Sequence, residues 1–192
     1  MEIYDGVKFE TVFAHKRPPV AAASDELVAW VHRFVASGLA SAGEDASGNL
    51  SLRLGDGFLI TPTHVPMSSL ESDDLVHVLE AGERVTVIGT REPSSEVRLH
   101  AALYDARPDI HAIFHGHEDS IVARGASLGV ATTAREVSYG SPELAELAVE
   151  VGKAHDVFVL HSHGFVALGR TADEAGAAAL GALHAVREGS GS

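Results

Sequence analysis

Two short histidine clusters and one carboxylate hold the residue types and spacings that could do chemistry in this chain. His115-Gly116-His117 ends the apolar run that begins at Ile110. On an extended strand, residues i and i+2 point to one face, roughly 7 Å apart at the backbone. Two imidazoles at that spacing can close on one metal ion, and Gly116 between them lets the backbone bend or approach a ligand. His161-Ser162-His163-Gly164 ends a second apolar run, Val157 to Leu160, and the same alternation places His161 and His163 on one face. A lone His-x-His in a histidine-rich chain is a weak signal, and its commoner meaning is two surface or pocket histidines at a strand end. Two such pairs, each closing an apolar strand, sit where site residues gather in sheet proteins. Three histidines, with or without a carboxylate, suit zinc with one position open to substrate.

Glu96 is the third element, in the run Glu92-Pro93-Ser94-Ser95-Glu96 at a helix start. The commoner meaning of an acid there is a favourable interaction with the helix dipole. Beside a metal it would be a ligand, a general base, or each in turn. Ser94, Ser95 and the unpaired N–H groups of that helix start would form an anion cradle.

Composition narrows the metal chemistry. The chain has 192 residues, twelve histidines and no cysteine, so any metal is held by nitrogen and oxygen, and thiolate catalysis and disulfides are out. The formal charge of −13 argues against nucleic acid and against an anionic membrane surface as general partners. There is no stretch of 18 consecutive apolar residues and no leader-like apolar run at Met1 to Phe9, so the expectation is a cytoplasmic protein. Gly125-Ala126-Ser127-Leu128-Gly129 has the letters of a hydrolase nucleophile elbow. That motif needs a strand before the turn, and Ile121 to Arg124 reads as helix.

The elements that must position these residues follow from patterning. Ser24 is the expected N-cap of a helix with Asp25 and Glu26 in its first turn. Leu27, Val28, Val31, Phe34, Val35 and Leu39 form the stripe that packs on a core, and the helix stops between Gly38 and Gly43. Leu50–Leu54 and Phe58–Thr61 read as a hairpin across Gly55-Asp56-Gly57, with Ser47-Gly48-Asn49 as the turn before it. Val85–Ile88 suggests a strand, Ser95–Tyr104 a helix closed before Pro108, and Ile110–His115 a strand. Ser141-Pro142-Glu143 starts a helix. Val157–Leu160 and Phe165–Leu168 are short strands about a turn at Gly164, and Thr171 with Glu174 forms a capping box for a last helix to about Arg187. A single α/β domain over residues 1–187 is expected, a sheet covered by helices, with residues 188–192 as a flexible tail.

In order along the chain, Ser47-Gly-Asn-Leu-Ser51, Leu59-Ile-Thr-Pro-Thr63, Pro93-Ser-Ser-Glu96, Arg107-Pro-Asp109, His115-Gly-His117 and Leu160-His-Ser-His-Gly164 resemble the class II aldolase/adducin family. Each motif alone is weak; the ordered set is specific. The resemblance implies a three-layer α/β sandwich with a largely antiparallel central sheet, in a homo-oligomer that is commonly a tetramer with sites between subunits. It implies that His115, His117 and His163 bind a divalent metal, usually Zn2+, with Mn2+, Co2+, Fe2+ or Ni2+ as the other options. It makes Glu96 the catalytic acid/base and Asn49, Thr63, Ser94 and Ser95 the holders of a substrate phosphate.

The activity implied is cleavage of a ketose 1-phosphate, of the fuculose- or rhamnulose-phosphate type, to dihydroxyacetone phosphate and an aldehyde. A same-family dehydratase, a 4-epimerase (which usually has aspartate where Glu96 stands) and a non-catalytic adducin-like domain are the alternatives, with a three-histidine zinc hydrolase outside the family. Three positions depart from the family pattern. His64 stands where glycine is frequent in the phosphate loop, Gly116 replaces threonine or asparagine, and Ser162 replaces asparagine. The family's proton-donating tyrosine has Tyr139 and Arg135 as its nearest candidates. His64 and His161 are expected as neighbours of the site, and the remaining seven histidines carry no functional argument.

Overall fold

The computed structural model of the chain describes residues 6–42 and 48–189. Among them are nine strands: β1 (Glu10–His15), β2 (Gly48–Leu54), β3 (Gly57–Ile60), β4 (Val76–Ala81), β5 (Arg84–Ile88), β6 (Ala112–Gly116), β7 (Ala131–Thr132), β8 (Val157–Leu160) and β9 (Gly164–Gly169). Five α-helices accompany them: α1 (Ser24–Ser37), α2 (Val97–Ala106), α3 (Asp119–Arg124), α4 (Pro142–Gly152) and α5 (Ala172–Glu188). The strands make one sheet in the order β1-β5-β4-β3-β2-β6-β9-β8-β7. The β1–β5 and β7–β8 pairs are parallel and the other pairs antiparallel.

Alternation along the central strands feeds two cores. Leu50, Leu52, Phe114, Phe165 and Ala167 point to one face, where Trp30, Val31 and Phe34 of α1 and Ala175, Ala179 and Leu183 of α5 cover them. Ile113, Val166 and Leu168 point to the other, under Val97, Leu99 and Leu103 of α2 and Leu144 and Ala148 of α4. This is the expected single α/β domain with helices on both faces of a mixed, mostly antiparallel sheet.

Local chemistry accounts for most element ends. Gly38 closes α1 in the left-handed conformation (φ 79°), with Leu39 N–H donating to Phe34 O. Ser141 caps α4 by accepting from Leu144 N–H, with proline at the first turn. Thr171 caps α5 through Glu174 N–H, but the Glu174 carboxylate reaches back to Arg170 N–H rather than to the cap itself. Ser24 is not the cap of α1. Its N–H closes a turn onto Ala21 O, so the chain enters the helix one residue early; Ala23 takes the cap position and the buried Ser24 hydroxyl has no partner.

Three strands lie beyond those expected. β1 is a partly exposed edge strand paired only with β5, β4 owes its place to pairing with β3 and β5, and β7 is two residues long. The helix placed at Ser95 begins at Val97. α5 extends to Glu188, while Ser47 and residues 190–192 lie outside the described residues.

Candidate metal and catalytic centre

β6 lies between β2 and β9, and this placement builds the site. The β2–β6 register sets Asn49 opposite His115, and the β6–β9 register sets His115 opposite Val166 and Gly116 opposite Phe165. His115 therefore points to the α2 side of the sheet, and His117 follows just past the strand end. The β8–β9 turn brings in His163. Ser162 takes a left-handed conformation there (φ 58°), and His163 N–H bonds to Leu160 O. Glu96 enters from the start of α2. Its segment is pinned by Thr63 N–H to Glu92 O, Ser94 N–H to Thr61 O, and a bridge between Pro62 and Pro93.

These four side chains converge. Each of Glu96, His115, His117 and His163 offers one ligand atom, and the four atoms lie within 4.8 Å of one another. Glu96 Oε2 is 2.9 Å from His115 Nε2, and Oε1 accepts from His163 Nε2 at 2.9 Å. His115 Nε2 is 2.8 Å from His117 Nε2. The His115 and His163 rings stack at 5.2 Å with 6° between planes, and His117 stands edge-on to both. His115 is fully buried and Glu96 is 4 % exposed.

The donor set suits a cation. His115 Nδ1–H donates to Phe165 O at 2.8 Å, which leaves Nε2 of the neutral ring as a bare lone pair aimed at His117 and Glu96. Lone pairs so directed repel unless a proton or a metal lies between them, and a carbonyl that fixes the tautomer is the usual support of a metal-binding imidazole. Burial, helped by the neighbouring His115 and His163, lowers His117 to about 3, so its ring is neutral and able to ligate. Burial alone would raise Glu96; with His115 and His163 protonated, their charge and hydrogen bonds outweigh it and hold the carboxyl well below its ordinary value.

Glycine is required at two positions here. A Cβ on Gly164 would lie 2.6 Å from His115 Cε1 and 2.9 Å from His117 Cδ2, and one on Gly116 would lie 2.4 Å from Leu39 O. The rings can meet because the turn behind them has no side chain.

His161 does not share a face with His163. The left-handed Ser162 turns the chain between them, so His161 is exposed and its N–H bonds to Thr133 Oγ1. His64 is exposed and left-handed (φ 57°), the conformation in which glycine is at ease. Ser94 and Ser95 are buried beside Glu96, and Ser94 Oγ accepts from Glu96 N–H at 3.3 Å; Thr63 is half-buried on the adjoining segment. Tyr139 is buried and donates to Gly6 O, and Arg135 pairs with Glu143 at the surface, so neither reaches the cluster within this chain. Ser127 is exposed and donates to Arg124 O after a helix, which removes the hydrolase elbow.

Asn49 sits between Glu96 and a residue that patterning did not single out. Its Nδ2–H donates to Glu96 Oε2 at 2.9 Å, and its Oδ1 lies 2.6 Å from His100 Nε2. His100 in turn contacts Ser51 Oγ, which contacts Tyr104 OH. The signal was present: Glu96, His100 and Tyr104 share one stripe of α2 by i,i+4 spacing, and Asn49 and Ser51 share one face of β2.

Comparison with known proteins places the chain in a family. The sequence profile of the family described as "Class II Aldolase and Adducin N-terminal domain" matches residues 25–187. A 5-methylthioribulose-1-phosphate/5-deoxyribulose-1-phosphate aldolase of Rhodospirillum rubrum is 32 % identical over 143 residues, 65 % of this chain and 62 % of that protein; the match thus spans less than two thirds of the relative's length. A 3-oxo-tetronate 4-phosphate decarboxylase of Cupriavidus necator is 36 % identical over 78 residues, 41 % of this chain and 35 % of that one. Among solved structures, an L-fuculose 1-phosphate aldolase superposes with a TM-score of 0.77 at 24 % identity, covering 88 % of this chain and 85 % of that one, a likeness of fold. The chain belongs to the class II aldolase/adducin family. No helix of the described residues is long and apolar enough to cross a membrane.

Proposed function

We propose that this chain is a metal-dependent class II aldolase that cleaves a ketose 1-phosphate to dihydroxyacetone phosphate and an aldehyde. The observation that carries the reading is a buried carboxylate, Glu96, held against three converging imidazoles. His115, His117 and His163 would hold the divalent cation, Zn2+ by preference for three nitrogen donors. When bound, such an ion supplies a Lewis acid that polarises the substrate carbonyl and offsets the negative charge left as the C3–C4 bond breaks.

The chain's own residues do the rest. Glu96 is the group that holds and moves the proton at the carbon that becomes part of dihydroxyacetone phosphate. Its carboxylate is dry, anionic and fixed by Asn49, so it is positioned as a base without reorganising. Ser94, Ser95, Thr63 and the second amide hydrogen of Asn49 would bind the substrate's phosphate, next to the start of α2, where the helix dipole favours an anion. The enzyme would work in the cytoplasm as a homo-oligomer, a tetramer by family resemblance, with the proton that the C4 hydroxyl gives up as the aldehyde forms taken by a group outside this chain.

The match to a decarboxylase supports a second reading, loss of CO2 from a 3-oxo acid phosphate. The same charge would build up on the same atoms. One experiment separates the two: metal analysis of the purified protein, with a panel of ketose 1-phosphates assayed for dihydroxyacetone phosphate and of 3-oxo acid phosphates assayed for CO2. The aldolase reading predicts about one ion per chain, lost in His115→Ala and in His163→Ala, and dihydroxyacetone phosphate from at least one sugar. Full metal content in both variants overturns the site; CO2 release without cleavage of any ketose overturns the aldolase.

A further inference from the structure

A continuous polar chain runs behind Glu96 through the α2 side of the sheet, and none of its links is needed to hold a metal. It comprises Asn49, His100, Ser51 and Tyr104, which are 5 %, 0 %, 0 % and 4 % exposed. Buried groups of this kind are costly unless every donor finds an acceptor, so the proton positions can be worked out link by link.

Glu96 settles the first link. Its Oε2 can only accept, so the nearer end of the Asn49 amide is Nδ2–H, and Oδ1 must face His100. An amide oxygen donates nothing, so His100 carries its proton on Nε2 and donates across 2.6 Å. Burial, and then the charge of His115, lower His100 to about 3, so the ring is neutral and its Nδ1 is bare. Ser51 must then donate to Nδ1 across 2.6 Å. With that proton committed, Ser51 Oγ accepts from Tyr104 O–H at 2.9 Å, a shorter contact than the Tyr104 O–H makes with His111 O at 3.4 Å. Every O–H and N–H in the chain points toward the carboxylate.

We propose that His100, held in a single tautomer by Ser51 and Tyr104, is a positioning residue that locks the Asn49 amide onto Glu96 Oε2 and so reserves Oε1 as the oxygen that exchanges a proton with substrate. Oε2 is occupied by a fixed donor whose orientation is dictated from behind. Oε1 is 2.9 Å from His163 Nε2, a contact that a metal drawing on that nitrogen would release. A carboxylate with one oxygen held by a fixed donor presents the other to the reacting carbon. The role as proton carrier rests on the aldolase reading; the hydrogen-bond direction does not.

The test therefore has two arms. In the metal-loaded protein labelled with 15N-histidine, His100 (assigned by its loss in His100→Gln) should show a protonated Nε2 and a bare Nδ1 throughout the neutral range. An Nδ1-protonated ring, or a mixture of tautomers, overturns the proposal whatever the enzyme's substrate. In the second arm, His100→Leu should lower kcat by roughly tenfold to a hundredfold, the range for supports of active-site ligands, with KM and bound metal unchanged. His100→Gln, which keeps a donor directed at Asn49, should recover most of that loss, and Ser51→Ala serves if His100→Leu does not fold. A wild-type kcat in the His100→Leu or Ser51→Ala variant, or a loss that follows bound metal or KM, overturns the proposal. A wild-type protein that cleaves no ketose 1-phosphate sinks the aldolase reading instead, and the tautomer still decides the hydrogen-bond direction.

Discussion

Strands β2 and β6 present two opposite surfaces built from alternate residues of the same short segments. On one surface Leu50, Leu52, Ala112 and Phe114 pack against Trp30 and Phe34, whose rings tilt or stand edge-on to Phe114 at 5.6 Å. On the other, Asn49, Ser51 and His115 meet Glu96, His100 and Tyr104 through directed hydrogen bonds. The apolar side is held by area and packing, which are non-directional, so neighbours can partly relax around a change. The polar side is held by matched donors and acceptors, where one missing partner leaves another group buried and unsatisfied. The two surfaces should therefore fail differently.

The sharpest contrast is between Glu96→Ala and Phe114→Ala. Removing the carboxylate should lower kcat/KM by about 10²–10⁴-fold, the usual worth of a positioned acid or base, while the folded content measured by circular dichroism stays at wild-type level. A variant within threefold of wild type would falsify Glu96 as the proton carrier. Phe114→Ala should cost about 3–5 kcal/mol of stability in a denaturant titration, while the folded fraction keeps its metal and its kcat. Loss of kcat in that folded fraction would break the contrast, because it would couple the apolar surface to the chemistry.

Gly164→Ala lies between the two in size. The added methyl meets the His115 and His117 rings, and overpacking of this kind costs about 1–3 kcal/mol. Bound metal, read by elemental analysis, should fall more steeply than thermal stability. The reverse ranking would mean that the turn yields and the rings do not.

The smallest effect is a matter of pH. An unfolded histidine takes up a proton near its ordinary 6.5, whereas folded His100 stays neutral to about 3. The unfolded state thus binds more protons between these values, and stability falls as pH drops from about 6.5, by at most about 1.4 kcal/mol per pH unit from this group. Above 6.5 the contribution is constant. His100→Gln should show a shallower acid limb than wild type between pH 6 and 4 in urea titrations; parallel limbs would remove His100 as its source.

The sequence made the two surfaces legible to different depths. Phe34, Phe114 and Leu50 fell into place because hydrophobic periodicity reports directly on burial, and the motif order identified Glu96, His115, His117 and His163. His161 misled because alternation assumes an extended strand, and a single left-handed residue at Ser162 cancels it. Ser24 misled because a turn from Ala21 displaced the cap by one residue. His100 was passed over because its i,i+4 spacing from Glu96 and Tyr104 is what any helix stripe shows. Its role exists only once α2 is laid across β2. Strand β1 depends on a partner far along the chain, and in β4 the register shift between Val78 and Glu80 interrupts the alternation that would announce it.

The hydrogen bond from His115 Nδ1 to the Phe165 carbonyl, across the β6–β9 ladder, ties the imidazole's tautomer to the pairing of the sheet. A slip of β6 by one residue would turn Phe114 toward α2 and His115 into the apolar core, since side chains alternate. Misfolded protein of that kind would lose its core and its metal together. With a metal held as proposed, its capture would act as proofreading: a correctly registered sheet would be selectively stabilised by the ion it alone can bind.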